Sequence, residues 1–214
     1  MKKIFFTFLL FVSIFSAEAA SDYYAKNFCL GISFPFINND YLLEDVDSVK
    51  LNAVGLNLNY RSMKDTMKIG VFLDADIYMP YTKTLIIDED TQASTKISDY
   101  DYFFGTDVLA GIYAVLYNDS SLSIPFGGGL HIDGYISKQK YETTVVKESV
   151  YTLGIGAWVN LEVDVSQKFG VYFGSKLVYD FYYKLNNKSM PNTIQDGKCK
   201  GFTFAPALGI VWHL

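Results

Sequence analysis

The chain has 214 residues, a formal charge of −5, 50% hydrophobic and 17% aromatic residues and 19% charged residues. That length fits one domain, or two small ones, and the apolar content excludes a disordered chain. The acidic balance without a basic cluster argues against nucleic-acid binding, and two cysteines are too few for a disulfide scaffold or a zinc site of usual spacing.

Lys2 and Lys3 begin a short basic segment, and Ile4 to Phe15 form an apolar run broken only by Thr7 and Ser13. Ala17 and Ala19 place small residues where a signal peptidase reads them. Residues 1–19 are expected to be a secretory signal peptide cleaved after Ala19. The run is too short for a membrane-spanning helix. Cleavage takes out two lysines and one glutamate, which moves the charge from −5 to −6. Cys29 follows Asn27-Phe28, unlike a lipid-attachment site.

Residues 20–214 form the second expected segment, and they alternate with period two. Phe28, Leu30, Ile32, Phe34 and Phe36 share one face of a first strand. Val54 to Tyr60 give a second strand, Ile69 to Ile77 a third, and Thr106 to Leu116 a fourth. Leu122 to Ile136 give a fifth, Tyr151 to Val163 a sixth, Val171 to Tyr183 a seventh, and Phe202 to Leu214 an eighth. The opposite faces carry Lys68, Asp74, Asp76, Asp107, Asp133, Glu162, Lys176 and Asp180. Most strand glycines share that polar parity, among them Gly31, Gly111, Gly129, Gly156 and Gly209. Glycine weakens an ordinary strand, yet it relieves crowding on the concave face of a tightly curved one.

A soluble sandwich would bury the apolar face, whereas a membrane barrel turns it to lipid and puts charges and glycines inside. Glycine on the polar face favours the barrel. Connections alternate between long ones, near 37–50, 80–101, 137–149 and 184–200, and short ones, near 61–67, 117–121 and 165–168. Aromatic residues gather near strand ends, as interfacial girdles do. The expected fold is all-β: an eight-stranded antiparallel up-and-down transmembrane β-barrel with long external loops and short periplasmic turns.

The stretches Ser123-Ile124-Pro125-Phe126-Gly127-Gly128-Gly129-Leu130, Gly154 to Phe181, and the terminal Leu208-Gly209-Ile210-Val211-Trp212-His213-Leu214 resemble the small outer-membrane β-barrels of the OmpA-like and opacity-protein-like group. The resemblance implies the bacterial outer membrane. It also implies that Leu208, Ile210, Trp212 and Leu214 form a C-terminal signal for the barrel-assembly machinery. The group's roles range over membrane tethering, adhesion, serum resistance and small pores.

A tight turn near Asp119 would set Asp107 opposite His131, which raises a catalytic Asp–His dyad. Ser123 lies too far along the strand to serve it, so the expected lumen is a structural polar network of Asp74, Asp76, Asp107, His131, Asp133, Glu162, Lys176 and Asp180. Phe72, Tyr78, Tyr113, Tyr135, Trp158, Tyr172 and Tyr182 should fill the interior, which disfavours an open channel. Acidic residues in the first two long connections, Asp40, Glu44, Asp45 and Asp47 and then Asp88, Glu89, Asp90, Asp99 and Asp101, lack calcium-loop spacing. Lys184, Lys188, Lys198 and Lys200 make the last connection more basic. Cys29 and Cys199 should sit at opposite heights as free thiols. No catalytic, cofactor or metal site is expected. The expected partners are outer-membrane lipid, the secretion and barrel-assembly machinery, and an extracellular ligand at the loops. The leading expectation is a non-enzymatic barrel with a structural or surface-interaction role. The alternatives are a narrow porin-like channel for small solutes and a lipid-modifying enzyme.

Overall fold

A computed structural model describes residues 24–41, 48–64, 67–88, 91–119, 121–141, 144–187 and 193–214. The expected signal segment, with Ala17 and Ala19, lies outside the described residues, as do Glu44, Asp45, Asp47, Glu89, Asp90 and Lys188. Among the described residues there are ten strands. They are β1 (Tyr24–Ser33), β2 (Phe36–Tyr41), β3 (Ser48–Lys64), β4 (Gly70–Asp88), β5 (Thr91–Lys96), β6 (Tyr100–Asn118), β7 (Leu122–Tyr141), β8 (Thr144–Asp164), β9 (Phe169–Asn187) and β10 (Thr193–His213).

Ten strands make a ring of eight. β1 and β2 are halves of one wall strand, because both pair with β3 on one side and β10 on the other. The expected single strand breaks at Phe34-Pro35, where proline cannot donate to a ladder; Pro35 O instead accepts from Ala53 N at 2.9 Å. β5 folds back on the outer part of β4 and leads through a short 3₁₀ turn (Ile97–Asp99) into β6. All pairings are antiparallel, and β1 with β10 closes the ring. Closure removes the sheet edges that lipid cannot solvate.

The exterior of the lower part is an apolar band. Ile77, Ile112, Leu130, Ile132, Ile155, Phe173 and Leu208 are among the exposed side chains. Phe36 stacks with Phe204 at 6.4 Å on the outer rim, and Phe28 with Trp212 at 6.1 Å on the turn side. The terminal β10 presents Leu208 and Ile210 outward, with Trp212 half-buried, and Leu214 just past its end is exposed. The inner face is where glycine is required. Gly111 lies opposite Gly129, and a methyl group on Gly129 would come 1.9 Å from the Ala110 carbonyl oxygen.

The wall strands β3, β4 and β6 to β10 run 17 to 21 residues. A membrane crossing needs about 9–11. The regions expected as long loops are therefore mostly strand, continuing the wall beyond the membrane. Face polarity inverts there: Ile37, Val49, Leu51, Val150 and Cys199 are buried inside with Tyr78, Phe103, Tyr135 and Tyr183, while Lys50, Lys140 and Lys200 point outward. The lower barrel is built for lipid and the upper barrel for water.

Two bulges revise the expected facing. Phe181 is an extra residue in β9 against β8, and on the other side Cys199 and Lys200 of β10 stand against Phe181 alone, so Phe181 and Tyr182 both face outward and Tyr183 turns inward. A second irregularity between β3 and β4 near Tyr81 lets both Pro80 and Lys83 point inside. Cys29 and Cys199 are both buried and unlinked, the first opposite Val211 and the second opposite Tyr41.

Candidate functional site

The candidate site is the lumen, whose side chains come from alternate positions of every wall strand. Near the turn side, Asn57, Asn59 and Arg61 continue the alternation of β3 down to its last residues. Arg61 is fully buried, with its guanidinium 2.6 Å from Glu162 of β8. It also lies between the Tyr113 and Trp158 rings, 5.9 and 5.6 Å from their centroids, and 3.6 Å from the Cys29 sulfur. Phe72 packs on Trp158 at 5.2 Å. This layer closes the lower lumen with one ion pair and three aromatic rings.

At mid-height, Lys176 of β9 extends its ammonium group into three carboxylates. Nζ lies 2.8 Å from Asp74, 2.6 Å from Asp76 and 2.5 Å from Asp107. Asn57 donates to Asp74 and Asp76 at 3.2 and 3.0 Å, and Asn59 to Asp74 at 3.0 Å. Tyr172 donates to Asn57 Oδ1 at 2.8 Å, fixing which end of that amide faces the acids. An ammonium with three donors matches three acceptors. Removing either side of such a pair leaves uncompensated buried charge.

Above it, His131 Nδ1 lies 2.7 Å from Asp180, and Nε2 lies 3.2 Å from Asp107 without hydrogen-bond geometry. Thr152 donates to Asp180 at 2.9 Å and Tyr78 to Asp133 at 2.8 Å. The register differs from the expected one. Asp107 pairs with Asp133 and His131 with Leu109, a shift of two residues, so the His131–Asp107 approach is diagonal. Ser123 sits opposite Glu162 near the turn end, away from this pair. At the outer end Lys83 pairs with Glu148 at 2.9 Å, and Tyr135 donates to Glu148 at 2.6 Å.

All eight residues of the expected network are buried on the inner face: Asp74, Asp76, Asp107, His131, Asp133, Glu162, Lys176 and Asp180. Of the seven aromatic residues expected there, Phe72, Tyr78, Tyr113, Tyr135, Trp158 and Tyr172 are inside and Tyr182 is not. Lys68 is also not in the lumen; it is exposed in the turn before β4, because β3 and β4 end sooner than its alternation suggested. Sequence reasoning missed Arg61, which it placed in a turn, and Lys83, which the bulge redirects. The alternation Asn57-x-Asn59-x-Arg61 carried the signal for the first.

Among the described residues, no group of three or more His, Cys, Asp or Glu is arranged to hold a metal ion; the Lys176 ammonium occupies the centre of the carboxylates. A cavity of about 10 Å³, room for one water molecule, is lined by Asn57, Asp74, Asp76, Trp158, Asn160 and Lys176. Side chains fill the lumen at each of the layers described.

No protein-family model matches the chain, and no curated protein matches it by sequence. Solved structures do. OprG from Pseudomonas aeruginosa is similar with a TM-score of 0.57 and 12% identity, over 90% of this chain and 97% of that one. AlkL, solved in lipid bilayers, gives 0.55 and 10% over 89% and 90%. The neisserial surface protein NspA gives 0.53 and 11% over 87% and 97%. The fold is that of a small outer-membrane β-barrel. In such a barrel the apolar band faces lipid and the ion-paired layers face the lumen. The two surfaces of this wall match that division, and its upper third adds a water-facing extension.

Proposed function

We propose that the protein is an integral barrel of the bacterial outer membrane whose lumen does not conduct. Its role is structural or surface-interactive, exerted through the rigid outer extension and the tips of its hairpins. The observation that carries the reading is the stacking of the Arg61–Glu162, Lys176–carboxylate and Lys83–Glu148 layers across one narrow lumen. An eight-stranded barrel is only wide enough for its own side chains, and a narrow channel would require all three layers to part. A lipid-modifying role would need catalytic polar groups on the lipid-facing wall or in the hairpins; His131, Asp107 and Asp180 face the lumen instead. On this reading Leu208, Ile210, Trp212 and Leu214 engage the assembly machinery, and residues 1–19 direct export.

Surface labelling of intact cells tests the placement. Ser94, in the outer hairpin of β4 and β5, and Ser121, in a turn at the opposite end, are both exposed. Ser94→Cys should react with a membrane-impermeant maleimide on whole cells, and Ser121→Cys only after lysis. The native thiols are buried and should stay silent. Labelling of Ser121→Cys on intact cells would reverse the orientation.

A further inference from the structure

The outward face of the upper wall carries lysines in a contiguous sector. Lys138 and Lys140 lie on β7, Lys147 on β8, Lys184 on β9, and Lys198 and Lys200 on β10. They stand just outside the aromatic rim formed by Tyr151, Tyr179, Phe181 and Phe202 on the same strands. The sector therefore continues the lipid-facing band into the level where headgroups lie.

Within it, Lys138 and Lys147 are direct cross-strand partners. Like charges in that position destabilise a sheet. Lys140, two residues further along the same face, adds a third lysine whose backbone position is about 7 Å along the strand. Asp101 pairs with Lys138, leaving Lys140, opposite Val145, and Lys147 facing outward. Elsewhere in the sector acids do stand opposite lysines: Asp196 across from Lys184, and Asp40 across from Lys200. The β7–β8 hairpin is where, among the described residues, two lysines stand directly opposite each other with a third beside them, and Asp101 is the acid paired there.

We infer that Lys138, Lys140 and Lys147 form a binding site for the phosphate headgroup of an anionic lipid in the leaflet around the outer rim. The lipid is placed by the apolar wall beneath, and its phosphate adds to the single Asp101 carboxylate a second anion for the three lysines. The inference rests on the reading of the barrel as a membrane protein with these hairpins outward, and it adds a lipid class and a site to it. Lys64 and Lys168, at the other end, sit on separate turns on opposite sides of the ring.

The test is native mass spectrometry of the folded barrel, released from detergent after equilibration with equal amounts of dimyristoyl phosphatidic acid and dimyristoyl phosphatidylcholine. Each lysine near a charged surface is worth about a fivefold change in binding. The unmodified protein should carry phosphatidic acid in preference. Lys140→Gln/Lys147→Gln, which spares the Asp101 pair, should lose that preference by about 25-fold, while Lys64→Gln/Lys168→Gln should keep it. Both substituted pairs are exposed, so an SDS-gel shift between heated and unheated samples should show them folded. Equal retention by Lys140→Gln/Lys147→Gln, or an equal loss in Lys64→Gln/Lys168→Gln, would overturn the site while leaving the barrel reading intact. A chain that does not fold in detergent or lipid at all would instead defeat the membrane reading.

Discussion

Replacing Lys176 with methionine is the sharpest perturbation of the lumen. The substitution keeps the unbranched apolar stem of the side chain and removes the ammonium group with its charge. Three carboxylates, those of Asp74, Asp76 and Asp107, then share a buried space with the 2.5–2.8 Å ion pairs gone. Breaking a buried pair from one side costs about 3–5 kcal/mol. With a urea dependence of about 2 kcal/mol per molar, the unfolding midpoint should fall by about 2 M. The assay is urea unfolding of the barrel folded into phosphatidylcholine vesicles. It is followed by the fluorescence of Trp158 and Trp212, the only tryptophans in the chain. Adding Asp76→Asn and Asp107→Asn to Lys176→Met should recover a large part of the loss, because the charge left unpaired falls with them. A Lys176→Met midpoint within 0.5 M of the unmodified protein, with folding verified, would refute the claim that this ion cluster holds the wall together.

Other outcomes follow from particular contacts. Gly129→Ala places a methyl group 1.9 Å from the Ala110 carbonyl oxygen and should cost at least about 1–3 kcal/mol in the same assay, whereas Gly197→Ala, whose nearest neighbour is 3.5 Å away, should be neutral. Arg61→Met should destabilise the barrel by a similar 3–5 kcal/mol by leaving Glu162 buried without its partner. Asp119 accepts from the backbone N–H groups of Ser121 and Leu122 at 2.8 and 3.1 Å, and these bonds, with the Tyr117 hydroxyl, hold its carboxyl below the usual carboxylate range. That stabilisation is complete above the unfolded carboxylate value of about 3.9 and disappears as pH falls through the lowered folded value. The stability gap between the unmodified protein and Asp119→Ala should therefore be present at pH 7 and shrink below about pH 4; a gap that grows on acidification would contradict the turn assignment.

The fold was legible because period-two alternation survives along almost every wall strand. Ile132-x-Gly134-x-Ile136 and its neighbours separate outside from inside without any knowledge of pairing. Bulges were not legible. One extra residue at Phe181 swaps Tyr182 and Tyr183 between faces, and nothing local in Phe181-Tyr182-Tyr183 marks which tyrosine turns in. The Asp107–His131 proximity was anticipated from a register two residues out; it survives because a diagonal contact between long side chains spans that difference. The outer extension was misread as loop because its apolar residues change face. Val49, Leu51 and Ala53 point inward, while Val54, Leu56 and Leu58 point outward or lie half-exposed. That phase reversal is present in the sequence, and it marks where the outside of the barrel passes from lipid to water.

Single-channel recording bears most directly on the central claim of a closed lumen. Refolded residues 20–214 in a planar bilayer should give no conductance steps. Tyr113→Ala with Trp158→Ala, which removes two rings flanking Arg61, should stay silent as well, because the Lys176 and Lys83 layers still close the lumen above. Reproducible steps from the unmodified chain would contradict the account and make the lumen carboxylates the lining of a channel.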